Sequence, residues 1–179
     1  MALPVPWQRS VSGRSLVADT TLRELLRGKG AHTDSIACVE GMSADVASRK
    51  IEGYPHSISE IVGHLNYWMD YELKRIARQP QTYPEHAIES WPSPSEKDWD
   101  ATRERFKTLL ANLIRLSDSP AEVLQREIPG THAVQEPKSY SVQAVLWQMV
   151  AHNSYHLGQI ALLRRSLNAW PPPGGSDTW

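Results

Sequence analysis

Residues 150–160 read VAHNSYHLGQI and place His152 and His156 four positions apart in a mostly apolar run. The apolar seam around them continues in steps of three and four residues, with members at Val145, Met149, Ile160, Leu163 and Leu167. This spacing predicts a helix that starts near Ser141 and carries both imidazoles on its buried side. The proline-rich stretch that follows cannot continue the helix.

A second helix with an inward histidine is predicted upstream. Ser57 can cap its first turn, and Glu60, three residues on, can reach back to the cap as in a capping box. The pattern continues as far as Pro80. One side of this helix carries Ile61, His64, Trp68 and Tyr71. His64 is therefore expected on or beside the buried stripe.

Two further helical blocks complete the predicted all-α fold. The first contains a short piece, TTLRELLR at 20–27, and a second piece from about Thr33 to Ser48. The other begins at Ser95, with Asp98 three residues on, and its apolar positions are Trp99, Thr102, Phe106, Leu109, Leu113 and Leu116. Long connections at 79–94 and 119–140 separate the blocks. No strand is predicted with any force.

Length and composition limit the function. The 179 residues suit one domain: an N-terminal extension at 1–19, a helical bundle at 20–168 and a Pro/Gly-rich tail at 169–179. The 19 basic and 20 acidic residues leave no positive field for nucleic acid or an anionic membrane. A single cysteine, Cys38, suits a reducing compartment. With no leader-like apolar run near the start, the cytosol is expected.

The paired histidines carry the chemistry. Residues four apart on a helix have β-carbons about 5–6 Å apart, so both rings can converge on one ion. An HxxxH pair also arises by chance, and each ring can instead bond a neighbouring helix. His64 adds a third ligand and leaves a fourth position open. Asn153 stands where a zinc peptidase needs glutamate, which argues against that class.

Other candidate groups are weaker. Ser57 is used as a cap and Cys38 has no evident orienting partner, so neither forms a nucleophilic triad. The remaining histidines fall in predicted loops or at helix starts and are expected to be solvated: His32, His56, His86 and His132. Trp68 and Trp147 are expected to pack in the core or at an interface.

Three segments together resemble the DinB-like (YfiT) superfamily: SISEIVGHLNYW at 57–68, HNSYHLGQIALLRR at 152–165 and the tail NAWPPPGGSDTW at 168–179. The likeness spans roughly residue 20 to the end. It implies a four-helix bundle of up-down-down-up character with long crossover loops. It also implies a divalent metal, nickel or zinc, on His64, His152 and His156, and a homodimer. Some relatives are thiol S-transferases or isomerases, and others are proposed hydrolases.

We therefore expect a metal-dependent enzyme of transferase or hydrolase type that acts on a small molecule, with a low-molecular-weight thiol as a candidate cosubstrate. A metal-bound water or that thiol would be the nucleophile. Four neighbours of the ligands are candidates to orient the rings or the substrate: Gln148, Asn153, Tyr67 and Tyr155. The alternative is a non-catalytic bundle, either a metal-stabilised dimer or a module that binds a partner protein.

Overall fold

A computed structural model of the protein describes residues 20–92, 96–130 and 139–175. Six helices occur in these ranges: α1 (Thr21–Leu26), α2 (Ala44–Ser48), α3 (Ile58–Ile76), α4 (Trp99–Ser117), α5 (Ala121–Leu124) and α6 (Val142–Ser166). Short 3-10 turns lie at Ala37–Val39, Ala87–Ser90 and Glu96–Asp98. The all-α fold class predicted from the sequence is confirmed.

Four of these helices, α1, α3, α4 and α6, pack against one another around a single hydrophobic core. The side chains of Leu65, Phe106 and Leu146, one from each long helix, are fully buried there. Burial of such side chains removes apolar surface from water at about 25 cal/mol per Å², which is the main force holding the bundle together. No helix in the described ranges is both long and apolar enough to cross a membrane.

The predicted starts of the two histidine-bearing helices are confirmed. At α3 the Ser57 hydroxyl accepts a hydrogen bond from the Glu60 backbone N–H, and the Glu60 carboxylate accepts one from the Ser57 N–H at 2.8 Å. At α6 the Ser141 hydroxyl accepts from the Ala144 N–H at 3.1 Å. These bonds satisfy donors that a helix leaves open at its first turn.

The predicted helix from Thr33 to Ser48 is wrong. A 3-10 turn, Ala37–Val39, and the five-residue α2 stand in its place, and Gly41 between them has a φ of 70°. That conformation favours glycine and ends a right-handed helix. A β-carbon at Gly41 would also collide with the ring of Pro173 in the C-terminal tail. The tail therefore packs where the sequence suggested a helix.

The connection between α5 and α6 contains strands that the sequence did not predict. Strand β1 (Glu127–Pro129) pairs antiparallel with β2 (Ser139–Ser141), and Ile128 lies opposite Tyr140. Three residues are too few to show a period of two. At the start of α4, Asp98 occupies the cap position. Ser95, where the sequence predicted this helix to begin, and the extension 1–19 lie outside the described residues.

Arg164, near the end of α6, is buried and ties the surrounding loops to the bundle. Its guanidinium donates hydrogen bonds to the backbone carbonyls of Cys38 at 2.9 Å, Glu40 at 2.8 Å and Ala169 at 2.9 Å. Buried carbonyls need such partners, because an unpaired one costs about 1–3 kcal/mol. One side chain thus fixes both the 38–40 segment and the start of the tail.

Candidate metal centre

The three histidines expected to converge do so. His64 comes from α3, while His152 and His156 lie one turn apart on α6, and one ligand atom from each lies within 4.8 Å of the others. His64 and His156 are buried, and His152 is half-buried. Packing of α3 against α6 thus brings together His64 and His152, which are 88 residues apart in the sequence. The three nearby histidines could bind a metal ion.

Hydrogen bonds fix the tautomers of two of these rings. Nδ1 of His64 lies 2.9 Å from the backbone carbonyl oxygen of Ser90, and Nδ1 of His156 lies 2.7 Å from Oε1 of Gln159. A carbonyl or amide oxygen only accepts, so each Nδ1 carries the proton and donates it. The lone pair of each ring is therefore on Nε2, the atom left to act as a ligand.

The spacing of the ligand atoms fits a metal ion. The Nε2 atoms of His64 and His152 are 3.3 Å apart. Two nitrogens bound tetrahedrally at about 2.0–2.1 Å from zinc lie roughly 3.3–3.4 Å from each other. Without an ion, Nε2 of His152 would have to carry the proton and donate it to Nε2 of His64, whose own proton is on Nδ1. An ion satisfies both Nε2 lone pairs together.

Burial keeps the rings neutral. It lowers the pKa of His64 to about 4, against the opposing hydrogen bond to Ser90, and charge on His156 and His152 lowers it further. Burial likewise lowers the pKa of His152 to about 4, with a further contribution from His156. The side chain of Asn153 opposes this shift. The pKa of His156 is also lowered by burial. Neutral imidazole is the form that binds metal.

Aromatic rings enclose the cluster. The indole of Trp91 stacks on His64, with ring centroids 3.8 Å apart and planes 9° from parallel, and its edge faces His156. His56 stacks on the other face of Trp91 at 3.7 Å and 6°. The expectation that His56 is merely solvated is therefore wrong. It is equally wrong for His32, whose Nε2 lies 3.0 Å from the Ser154 hydroxyl.

A family model described as the DinB superfamily matches residues 29–160. The chain belongs to the DinB superfamily. Members of this superfamily bind metal, which agrees with the three-histidine cluster. Searches of the curated proteins and of the solved structures gave no significant match. The family assignment therefore supports the fold and a possible metal site, and it leaves the reaction open.

The four residues expected to orient rings or substrate occupy different surroundings in this DinB chain. Gln148 is exposed on α6, and Tyr155 is 66% exposed with its ring centroid 5.0 Å from that of His156. Asn153 is buried, and its Nδ2 donates to Sδ of Met69 at 3.6 Å. Tyr67 is half-buried and packs edge-on against Trp68. Their roles stay predictions.

The residues that hold the histidine rings of the cluster were not identified from the sequence. Gln159 lies three residues after His156, so helical spacing alone could have indicated it. Ser90 and Trp91 lie in the connection between α3 and α4, more than 25 residues after His64. Nothing in the local pattern predicts which residues of a long connection return to the site.

A cavity of about 660 Å³ lies beside the histidines rather than at them. Its wall includes Gly63 and Tyr67, which flank His64 on α3, and Pro92, which follows Trp91. Asp70 and Arg105, an ion pair at 3.3 Å, lie farther along it. The cavity offers space for a small molecule within one helical turn of His64.

Proposed function

We propose that this protein is a divalent-metal-dependent enzyme in which His64, His152 and His156 hold one zinc or nickel ion. The observation that carries the proposal is the 3.3 Å separation of the His64 and His152 Nε2 atoms, with the tautomer of His64 fixed by Ser90. Three protein nitrogens leave a coordination position for a further ligand, as catalytic zinc sites do.

The residues around the three histidines have different roles. Ser90 and Gln159 hold a proton on Nδ1 of His64 and His156, which keeps their Nε2 lone pairs directed at the cluster. His152 is half-buried, whereas His64 and His156 are buried. A bound divalent ion lowers the pKa of a water or a thiol at the remaining position and so supplies a nucleophile near neutral pH.

The reaction class proposed is thiol S-transfer or hydrolysis of a small molecule. The cavity beside Gly63 and Tyr67 supports a small substrate, because its volume lies in the range of ligand pockets. A thiol cosubstrate is proposed because some members of the family that the chain resembles are thiol S-transferases. The lone, buried Cys38 suits a reducing compartment, so we place the protein in the cytosol.

Metal analysis of the purified protein tests the site. We expect close to one divalent ion per chain in the wild type and a strong loss in His64→Ala and His156→Ala. His32→Ala, which removes a histidine outside the cluster, should keep the wild-type content. Traces of metal in every preparation would contradict the proposal. Screening of the zinc- and nickel-loaded protein against small thiols, esters and amides would then identify the reaction.

A structural ion is the rival function, and chelation separates the two. If the ion serves catalysis, its removal should lower the melting temperature only slightly, because the core of α1, α3, α4 and α6 is independent of it. A collapse of stability in chelator would instead favour a structural ion.

We also propose that two copies pair through α6. Its exposed face carries Trp147, Tyr155 and Leu162, and residues 142–163 contain no lysine, arginine, aspartate or glutamate. In an antiparallel pair centred between Ser154 and Tyr155, Trp147 of one copy faces Leu162 of the other, and no like charges meet. Light scattering should give a dimer for the wild type and a monomer for Leu162→Glu. A monomeric wild type would refute the pairing.

A further inference from the structure

The orientation of His64 depends on more than its hydrogen bond. A bond from Nδ1 to the Ser90 carbonyl restrains that nitrogen, but a hydrogen bond tolerates a range of angles, so the plane of the ring can still tilt. Such a tilt moves Nε2 relative to His152. The terminal torsion of histidine is broad, so side-chain preference alone does not prevent it.

The indole of Trp91 removes this freedom. It lies on the face of His64 at 3.8 Å with planes only 9° from parallel, so rotation of the imidazole would drive its edge into the indole. Ser90 and Trp91 are adjacent, and together they contact His64 at its edge and at its face. Two neighbouring residues of one connection thus fix both the direction and the plane of a ligand ring.

Trp91 is itself held from behind. His56 stacks on its other face at 3.7 Å and 6°, so the indole lies between two imidazoles. His56 precedes the cap of α3, and its Nδ1 is 3.8 Å from the Glu60 carboxylate that closes the capping box and also pairs with Lys50. His56, at the base of the stack, is therefore attached to the capping box that begins α3.

We propose that His56 and Trp91 are positioning residues that set the ring plane of His64 in the metal centre. This inference rests on the proposed function, because it concerns how a ligand of that ion is oriented. His56 is not itself a ligand, since Trp91 separates it from His64. Outer groups that orient a metal-bound histidine typically change metal affinity by about 10- to 100-fold.

Cobalt titration of the full metal-free chain tests the proposal, with Co²⁺ as the probe because its visible absorption reports coordination geometry. We expect Trp91→Leu to weaken Co²⁺ binding by about 10- to 100-fold and to change the visible spectrum. His56→Ala should weaken binding in the same direction. His56→Phe, which keeps a flat ring on Trp91, should restore it. Trp170→Leu, the same change in the C-terminal tail where the indole contacts Arg165, should match the wild type.

The outcomes separate this inference from the function it rests on. If the wild type does not bind Co²⁺, the proposed metal centre fails. If the wild type binds but His56→Ala has the wild-type affinity and spectrum, the positioning role is overturned. His56 is partly exposed, with 30% of its side chain accessible, so His56→Ala and His56→Phe should both fold. Their comparison tests the positioning role even if Trp91→Leu does not fold. Equal losses in Ala and Phe would also contradict the stacking argument.

Discussion

Replacement of Gln159 by leucine should weaken metal binding while leaving the fold intact. Oε1 of Gln159 accepts the Nδ1 proton of buried His156 at 2.7 Å. Leucine has a similar size and suits a helix, but it cannot accept a hydrogen bond. The His156 N–H would then lose its acceptor, at a cost of about 1–3 kcal/mol, or the proton would move to Nε2 and block the ligand atom.

That energy corresponds to a loss of about 10- to 100-fold in metal affinity, since each 1.4 kcal/mol is roughly tenfold in a dissociation constant. Competition between the protein and a chromogenic chelator for Zn²⁺ measures the constant. Gln148→Leu is the matched control, because it makes the same change on the same helix at an exposed position.

We expect Gln148→Leu to bind Zn²⁺ and to melt as the wild type does. Gln159→Leu should still unfold cooperatively without metal, at a melting temperature lowered by no more than the loss of one buried hydrogen bond. Wild-type affinity in Gln159→Leu would refute the assignment of the His156 tautomer. An equal loss in Gln148→Leu would instead show that the exposed glutamine, predicted from the sequence to orient a ring, acts at the site.

Two further predictions concern stability. The pKa values of His64 and His152 fall to about 4 in the folded protein, while unfolded histidine titrates near 6.5, so below pH 6.5 the unfolded chain binds more protons. The melting temperature of metal-free protein should therefore fall as the pH is lowered from 6.5 towards 4. This fall should be smaller in His64→Ala. Identical plots of melting temperature against pH for the two proteins would contradict the lowered pKa of His64. Arg164→Met leaves three carbonyls unpaired and should lower the free energy of unfolding in urea by about 3 kcal/mol or more, whereas exposed Arg115→Met should change it by under about 0.5.

The sequence determined the three long helices because their signals are local. The capping box of Ser57 and Glu60 and the seam around His152 and His156 can be found within a few turns of helix, and the structure has both. Local signals failed at 33–48 and at 127–141. In the first, Gly41 and the C-terminal tail decide the conformation, and in the second each strand has only three residues.

The three histidines of the candidate site were also predictable, because each one interrupts an apolar stripe where a polar group needs a partner. The residues that hold the three rings in place could not be predicted from the sequence. Ser90 and Trp91 reach His64, and His56 stacks behind Trp91, only because the connection after α3 folds back over the start of that helix. Helical periodicity fixes which side of α3 or α6 is buried, whereas the path of a long connection depends on contacts between residues far apart in sequence, so only the tertiary structure decides it.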